Sequence, residues 1–225
     1  MITDTAGHLF GNAVLCSDDF GETWQVLGDT TVSPISNGDE AKVEELPDGR
    51  VLLSSRTENG RLFNIFTYTN EETASGHWES GQKAQLENER GTNGEICIIQ
   101  ARKIDTKALV YLALQSIPLS SKPHPKSGEP NIRMDVGIYW RVIEENIGLS
   151  ALADSTKWKK YQVFTGESGY STMVMQQDHR IGFLYEKYDH VTNLGDMNDV
   201  YDICYESLPI STITNGEYEA AFLTE

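Results

Sequence analysis

The 225-residue sequence predicts an all-β fold of stacked blades, and three observations carry that expectation. Ten short runs rich in Val, Ile, Leu, Thr and Tyr recur between turn signals. No helices alternate with them, so the spacing of a parallel βαβ sheet is missing. An octapeptide ending in Trp24 has fainter echoes ending in Trp78 and near Trp158. The first two tryptophans stand about 54 residues apart, a length that suits one four-stranded blade plus its connection. The strand pattern by itself fits a sandwich, a barrel or a propeller; the repeat favours the propeller.

In chain order, the expected strands are 12–16, 41–46, 50–55, 62–69, 95–101, 108–114, 134–143, 171–175, 181–187 and 201–206. Between the second and third, LPDGR places Pro47, Asp48 and Gly49 in a tight turn. Proline fixes one dihedral, aspartate bonds its own backbone, and glycine accepts positive φ. QDHR at 177–180 is expected to turn the chain before IGFLYE. SSKPHPKSGEPN at 120–131 reads as an exposed loop, because prolines and small polar residues offer no apolar face. Only 143–158 has the pattern of a short helical turn.

Thirty-four acidic against 18 basic residues give a formal net charge of -16. That field repels nucleic acid and anionic membrane surfaces. No run approaches the roughly 18 apolar residues of a membrane span. The first ten residues, MITDTAGHLF, lack the basic start and apolar core of a secretory signal, although a longer precursor could carry one. Cys16, Cys97 and Cys204 are isolated, as are His8, His77, His124, His179 and His190. Neither a disulfide framework nor a metal site is expected from such spacing, and the thiols read as buried or idle.

Ser17, Asp19, Gly21, Thr23 and Trp24 form the pattern S-x-D-x-G-x-T-W. Ser and Asp can bond backbone groups across a hairpin turn, Gly permits the turn, and Trp can plug the space between strands. This octapeptide resembles the Asp box of sialidase-like β-propellers, a marker of fold rather than of catalysis. The run 39–68, DEAKVEELPDGRVLLSSRTENGRLFNIFTY, is similar to the strand, turn and strand that carry a glutamate and then an arginine in bacterial exo-α-sialidases (neuraminidases), in particular those of the Bacteroides kind. NGEICIIQAR, LVYLALQSIP and IRMDVGIYWRV resemble the following blade. ESGYSTMVMQQDHRIGFLYE resembles the segment holding the nucleophilic tyrosine, and VYDICYESLPISTIT the closing strand and tail.

The resemblance covers nearly the whole of 1–225 and implies part of a six-bladed propeller. Six blades need roughly 350 residues, so about four would be present and the chain would correspond to the C-terminal two-thirds. The resemblance assigns Tyr170 as nucleophile, Glu40 as its proton acceptor, Arg56 and Arg133 as the second and third arginines of a triad, and Glu186 as support for the first arginine. A phenol with a reference pKa of about 10 needs such a base near neutrality. Arginine's planar fork matches a substrate carboxylate. Tyrosine nucleophiles are a known departure from the two-carboxylate glycosidase scheme.

Two family elements have no counterpart in context: the first triad arginine, and the acid/base aspartate, for which Asp4 and Asp18 lack support. The implied activity is therefore retaining exo-hydrolysis of terminal α-linked sialic acids if the site is completed. The alternative is a non-catalytic sialic-acid-binding or inactive propeller fragment. Sialylated glycans are the expected partner, with a missing N-terminal segment or another chain completing the propeller. A processed half, a truncated product and a dimerising fragment all stay open. No cofactor or metal is needed, and the full-length protein is expected to be secreted or periplasmic.

Overall fold

The computed structural model describes residues 2–3, 9–28, 33–35, 38–57, 60–86, 91–123, 130–188 and 201–221. Two short ribbons come first: β1 (Ile2–Thr3) pairs with β2 (Leu9–Phe10), and β3 (Leu15–Cys16) with β4 (Gln25–Val26). Three antiparallel sheets follow. The first runs β5 (Asp39–Glu45), β6 (Val51–Thr57), β7 (Gly60–Asn70) and β8 (Ser75–Trp78), with β9 (Gln82–Ala84) also on the edge of β7. The second is built on β10 (Ile96–Lys103), β11 (Leu109–Pro123), β12 (Pro130–Ile143) and β13 (Lys159–Gln162). The third contains β14 (Ser168–Met175), β15 (Arg180–Tyr188) and β16 (Tyr201–Pro209). The chain then returns, so that β17 (Tyr218–Ala220) pairs with β10 and closes the second sheet's other edge.

Each of the ten expected strands meets one of these elements. The expected turns form as well, and they share one geometry. In LPDGR, Gly49 N–H donates to Leu46 O at 2.9 Å and Leu46 N–H to Arg50 O at 2.8 Å, with Gly49 at φ 83°. In QDHR, His179 takes the glycine's place at φ 60°, with the equivalent bonds from His179 to Gln176 and from Gln176 to Arg180 at 3.0 and 2.9 Å. The expected helical turn consists of α1 (Leu149–Ala153) and a 3-10 turn at Ser155–Lys157.

Two expectations need correction. The segment 120–131 is not wholly a loop: β11 continues to Pro123 and β12 begins at Pro130, while 124–129 lie outside the described residues. Ser120, Ser121 and Lys122 pair with Met134, Arg133 and Ile132, so ladder hydrogen bonds stabilise a segment that lacks an apolar face of its own. Both prolines stand at strand ends, beside a register shift, where a missing N–H is tolerated. The second correction concerns Trp24, which is 60% exposed and does not plug a gap between strands. Its ribbon has only two strands and gives the indole nothing to lie between.

The octapeptide still folds as its residues suggest. Asp19 accepts from Thr23 N–H at 2.8 Å and from the Thr23 hydroxyl at 2.6 Å, while Ser17 Oγ accepts from Gly21 N–H at 2.8 Å. The Thr23 and Ser17 hydrogen bonds hold the Asp19 carboxyl down at about 2. The plugging role falls to Trp78 and Trp158. Trp78 donates to Leu27 O at 3.3 Å and packs 5.0 Å from Phe66; Trp158 donates to Leu152 O at 2.9 Å and lies 6.0 Å from Phe63.

The sheets stack face to face through three apolar layers. One lies between the β3–β4 ribbon and the first sheet, centred on Leu27, Leu53 and Phe66. The next, between the first and second sheets, contains Phe63, Ile65, Ala113, Ile117 and Trp158. The last, between the second and third sheets, contains Leu112, Leu114, Ile138, Trp140 and Phe183. Alternate residues of β11 therefore enter different layers, which explains its nearly unbroken apolar run. The third sheet buries only one face; Val174, Leu184, Ile203 and Tyr205 stay exposed on the strands of this sheet.

Phe63 is fully buried between two sheets. Phe63→Ala should cost about 3–5 kcal/mol of unfolding free energy in a urea titration. A loss below about 1 kcal/mol would contradict this stacking.

Candidate functional site

Glu40, Arg56, Arg133, Tyr170 and Glu186 come from strands of all three sheets, and the stacking brings them together. Two β-bulges aim the central pair. On β5, Asp39 faces Arg56 but the next partners are Lys42 and Ser54, so β5 carries one extra residue around Glu40. Glu40 has φ 36°, an unusual conformation outside glycine, and its N–H donates to Asp39 Oδ1 at 2.9 Å. On β14, Ser168 faces Lys187 and Ser171 faces Tyr185, so the extra residue falls at Gly169–Tyr170. Bulges re-aim side chains out of the pleat. Here they turn Glu40 and Tyr170 toward a shared guanidinium.

That guanidinium belongs to Arg56. Its Nη1 donates to Glu40 Oε2 and, at 3.0 Å, to Tyr170 Oη. Among the described residues, its Nε and Nη2 groups meet no acceptor, which leaves a two-donor edge for a ligand. Arg56 Cζ lies 5.9 Å from the centre of the Tyr170 ring and Arg133 Cζ 5.3 Å from it. Arg133 is fixed on its other side by Nη2 donating to Gly91 O at 2.8 Å. Arg56, Glu40, Arg133 and Tyr170 are all half-buried, so a solute can reach them.

Glu186 takes a position that the sequence did not indicate. Its Oε2 accepts the Tyr170 backbone N–H at 2.8 Å. The acid thus fixes the bulge that presents the phenol, whatever else it supports. Gly169 makes this possible: a Cβ there would lie 2.3 Å from Glu186 Oε2. Gly91 is similarly constrained, with a Cβ meeting Thr57 O at 1.9 Å. A glycine inside a strand and another in a loop were the available sequence signals for both positions. Of the weak acid/base candidates, Asp4 lies outside the described residues and Asp18 sits in the exposed turn on the first side of the stack.

Glu40 and Glu44 of β5 shift in opposite directions. Partial burial pushes Glu40 up, but hydrogen bonds from Arg56 and Tyr170 and the charges of Arg56 and Arg133 outweigh it, so its carboxyl lies below the ordinary value. Glu40 is therefore ionised near neutrality and competent to accept a proton. Burial pushes Glu44 up to about 7, aided by the neighbouring charges of Glu95 and Glu45 and opposed by a backbone hydrogen bond at Glu45. Cys97, beside Glu44 and Glu95, is pushed by burial up to about 12, while Cys16, Cys97 and Cys204 are all half-buried free thiols. Among the described residues no group of three or more His, Cys, Asp or Glu could hold a metal ion, and no helix is long and apolar enough to cross a membrane.

The stacked antiparallel sheets are similar to part of a sialidase-like propeller in known structures. The chain superposes on the intramolecular trans-sialidase of Ruminococcus gnavus with a TM-score of 0.57 and 23% identity, covering 88% of this chain and 38% of that one. For the NanB sialidase of Streptococcus pneumoniae the TM-score is 0.61 at 21% identity, covering 89% and 28%. By sequence it is similar to the anhydrosialidase of the leech Macrobdella decora, 26% identical over 177 residues, which are 77% of this chain and 21% of the relative. No protein-family model matches. The chain thus spans about a fifth of the curated relative's length.

Glu40 and Glu44 make separable pH predictions. For Glu40, the depressed folded value means that its contribution is present above the unfolded value of about 4.3 and lost as pH falls through the folded one. The stability gap between wild type and Glu40→Gln should therefore narrow on acidification below about pH 4.3. For Glu44, the raised value means stability declines as pH rises from about 4.3 toward 7. Glu44→Gln should remove that decline in urea titrations at stepped pH. Parallel curves for either variant and wild type would refute the corresponding assignment.

Proposed function

We propose that this chain is the nucleophile-bearing portion of a sialidase-type propeller and that, taken alone, it binds sialic acid without hydrolysing its glycosides. The convergence of Arg56 and Arg133 on Tyr170, with Glu40 bonded to Arg56, carries this reading. Two guanidiniums over one phenol suit a sugar whose carboxylate sits at the reacting carbon. They supply a local cation in a protein whose net charge is -16. The first arginine of a triad and an acid to protonate the leaving oxygen would come from blades beyond this chain, whose relatives are several times longer.

The exposed apolar residues of the third sheet mark where such a blade would pack. Val174, Leu184, Ile203 and Tyr205 would be covered there, and Glu186 lies on β15 within the same sheet. Six blades in total, of which this chain supplies about four, and a Bacteroides-like origin in a secreted or periplasmic enzyme belong to the same proposal. Sialylated glycans are its ligands.

The Glu40–Arg56–Tyr170 contact favours a second reading, exo-α-sialidase activity of the completed site. Arg56 would exchange Glu40 for the substrate carboxylate, and the loss of that ion pair raises the basicity of Glu40 as substrate binds. Tyr170 Oη attacks the anomeric carbon while Glu40 accepts the phenol proton. The acid from the completing blade protonates the departing glycosidic oxygen. Water, giving its proton to the carboxylate left on that acid, then displaces the tyrosine with overall retention, and the proton on Glu40 returns to Tyr170. The relatives that are named as trans-sialidases suggest a second fate for the intermediate, capture by a hydroxyl of the same sugar.

Calorimetry with 2-deoxy-2,3-didehydro-N-acetylneuraminic acid, alongside assay of 4-methylumbelliferyl α-sialoside, tests both readings. The isolated chain should bind the acid, Arg56→Ala and Arg133→Ala should each weaken binding roughly tenfold to a hundredfold, and the sialoside should remain intact. Cleavage abolished by Tyr170→Phe would instead establish the enzyme reading for this chain. Folded protein that neither binds nor cleaves would remove the binding reading and any activity of this chain alone.

A further inference from the structure

Arg61 is fully buried, yet its hydrogen-bond acceptors among the described residues are all neutral. Nε donates to Ser54 Oγ at 3.0 Å, Nη2 to Ser54 O, and Nη1 to Thr92 O at 3.0 Å. Burial pushes its pKa down to about 10, which still leaves a cation at neutral pH. A desolvated guanidinium is expensive to keep when an apolar side chain of similar volume would fill the space. What it holds is therefore informative.

Thr92 O is the carbonyl next to Gly91 O, and Gly91 O accepts from Arg133 Nη2 at 2.8 Å. Two successive carbonyls of one segment are thus gripped by arginines from different sheets, Arg61 on β7 and Arg133 on β12. The segment has little freedom to adjust. Cβ atoms at Gly91 and Gly94 would each lie 1.9 Å from a carbonyl oxygen, of Thr57 and Ser116 respectively. At its far end, Glu95 N–H donates to Ser116 Oγ at 2.9 Å, and Gln115 Nε2 donates to Glu95 O at 2.9 Å. Gln115 in turn accepts from Ser54 Oγ at 2.7 Å, which closes the circuit on the residue that also holds Arg61. Ser116 Oγ meets Ser171 Oγ at 2.9 Å, one residue beyond Tyr170.

We propose that Arg61 is a positioning residue: through the 91–95 segment, it fixes the carbonyl that orients the Arg133 guanidinium over Tyr170. Arg61 touches no ligand itself. Only its effect on ligand affinity rests on the sialic-acid-binding reading above; its hold on the segment and on Arg133 does not.

The test combines backbone hydrogen exchange of the ligand-free chain, the Arg133 side-chain N–H resonance, and calorimetric affinity for the same didehydro acid. The variants are Arg61→Met, Arg61→Lys, Gly91→Ala, Arg133→Ala and the Arg61→Met/Arg133→Ala double. In Arg61→Met, exchange across 91–95 should quicken about tenfold while β15 is unchanged, and the Arg133 resonance should move or broaden. Affinity should fall about tenfold in Arg61→Met, less in Arg61→Lys, and no further when Arg61→Met is added to Arg133→Ala. Additive losses, or an undisturbed segment and Arg133 resonance, would overturn the proposal. If Arg61→Met does not fold, Gly91→Ala decides it by displacing the same carbonyl with Arg61 intact: wild-type exchange, resonance and affinity there would overturn it. If wild type fails to bind the acid, the sialic-acid reading falls alone, and exchange with the Arg133 resonance still decides the role of Arg61.

Discussion

Burial of both faces of the second sheet is the constraint on which the rest of the molecule depends. β11 sends Ala113 and Ile117 into one apolar layer and Leu112 and Leu114 into the next. Neither neighbouring sheet can move away without exposing a continuous apolar face, because burial contributes roughly 25 cal/mol per Å². The first and third sheets are consequently held on opposite sides of the second, with β5 and β14 both approaching β10. Tyr170 and Arg56, separated by 114 residues in sequence, reach 3.0 Å because of that arrangement. The ion pair and the phenol contact are results of the stacking and are too exposed to be its cause.

The convergence creates an electrostatic arrangement that opposes the molecule's overall charge. Arg56 and Arg133 lie against the Tyr170 ring, and Arg61 is buried on β7 opposite Arg56 in the β6–β7 register. Three guanidiniums this close repel one another, and each is held by different acceptors: Glu40 for Arg56, Gly91 O for Arg133, and Ser54 and Thr92 O for Arg61. Glu40 offsets the charge of Arg56, whereas the neutral carbonyls and hydroxyl that hold Arg61 leave its positive potential uncancelled. The arrangement suits an anionic ligand, and long-range repulsion from a net charge of -16 is overcome only at short range.

Much of this was legible in sequence because it depends on local chemistry. Turns such as LPDGR are encoded by residues that bond within the turn itself, and QDHR reproduces the same geometry even with His179 in the left-handed position. Alternation and β-branched content located the long strands. They missed β8, β9, β13 and β17, which are three or four residues long and exist because a neighbouring strand offers an edge. The end of β11 was misjudged for the same reason, since Ser120–Lys122 are strand only by virtue of Arg133, Ile132 and Met134 opposite. Trp24 has the right motif and an indole with no strand to pack against, whereas Trp78 and Trp158, with poorer motifs, are packed.

The site divides along the same line. Sequence resemblance singled out Glu40, Arg56, Arg133, Tyr170 and Glu186, and residue chemistry explained why a phenol needs a base and a carboxylate needs a guanidinium. Tertiary structure alone decided that Glu40 and Tyr170 sit on bulges, that Glu186 holds the Tyr170 backbone, and that Arg61 and Arg133 grip adjacent carbonyls. The physical reason is range. Turn chemistry and strand periodicity act over a few neighbouring residues, whereas bulges, shared carbonyls and close glycine contacts exist only after separate sheets have packed.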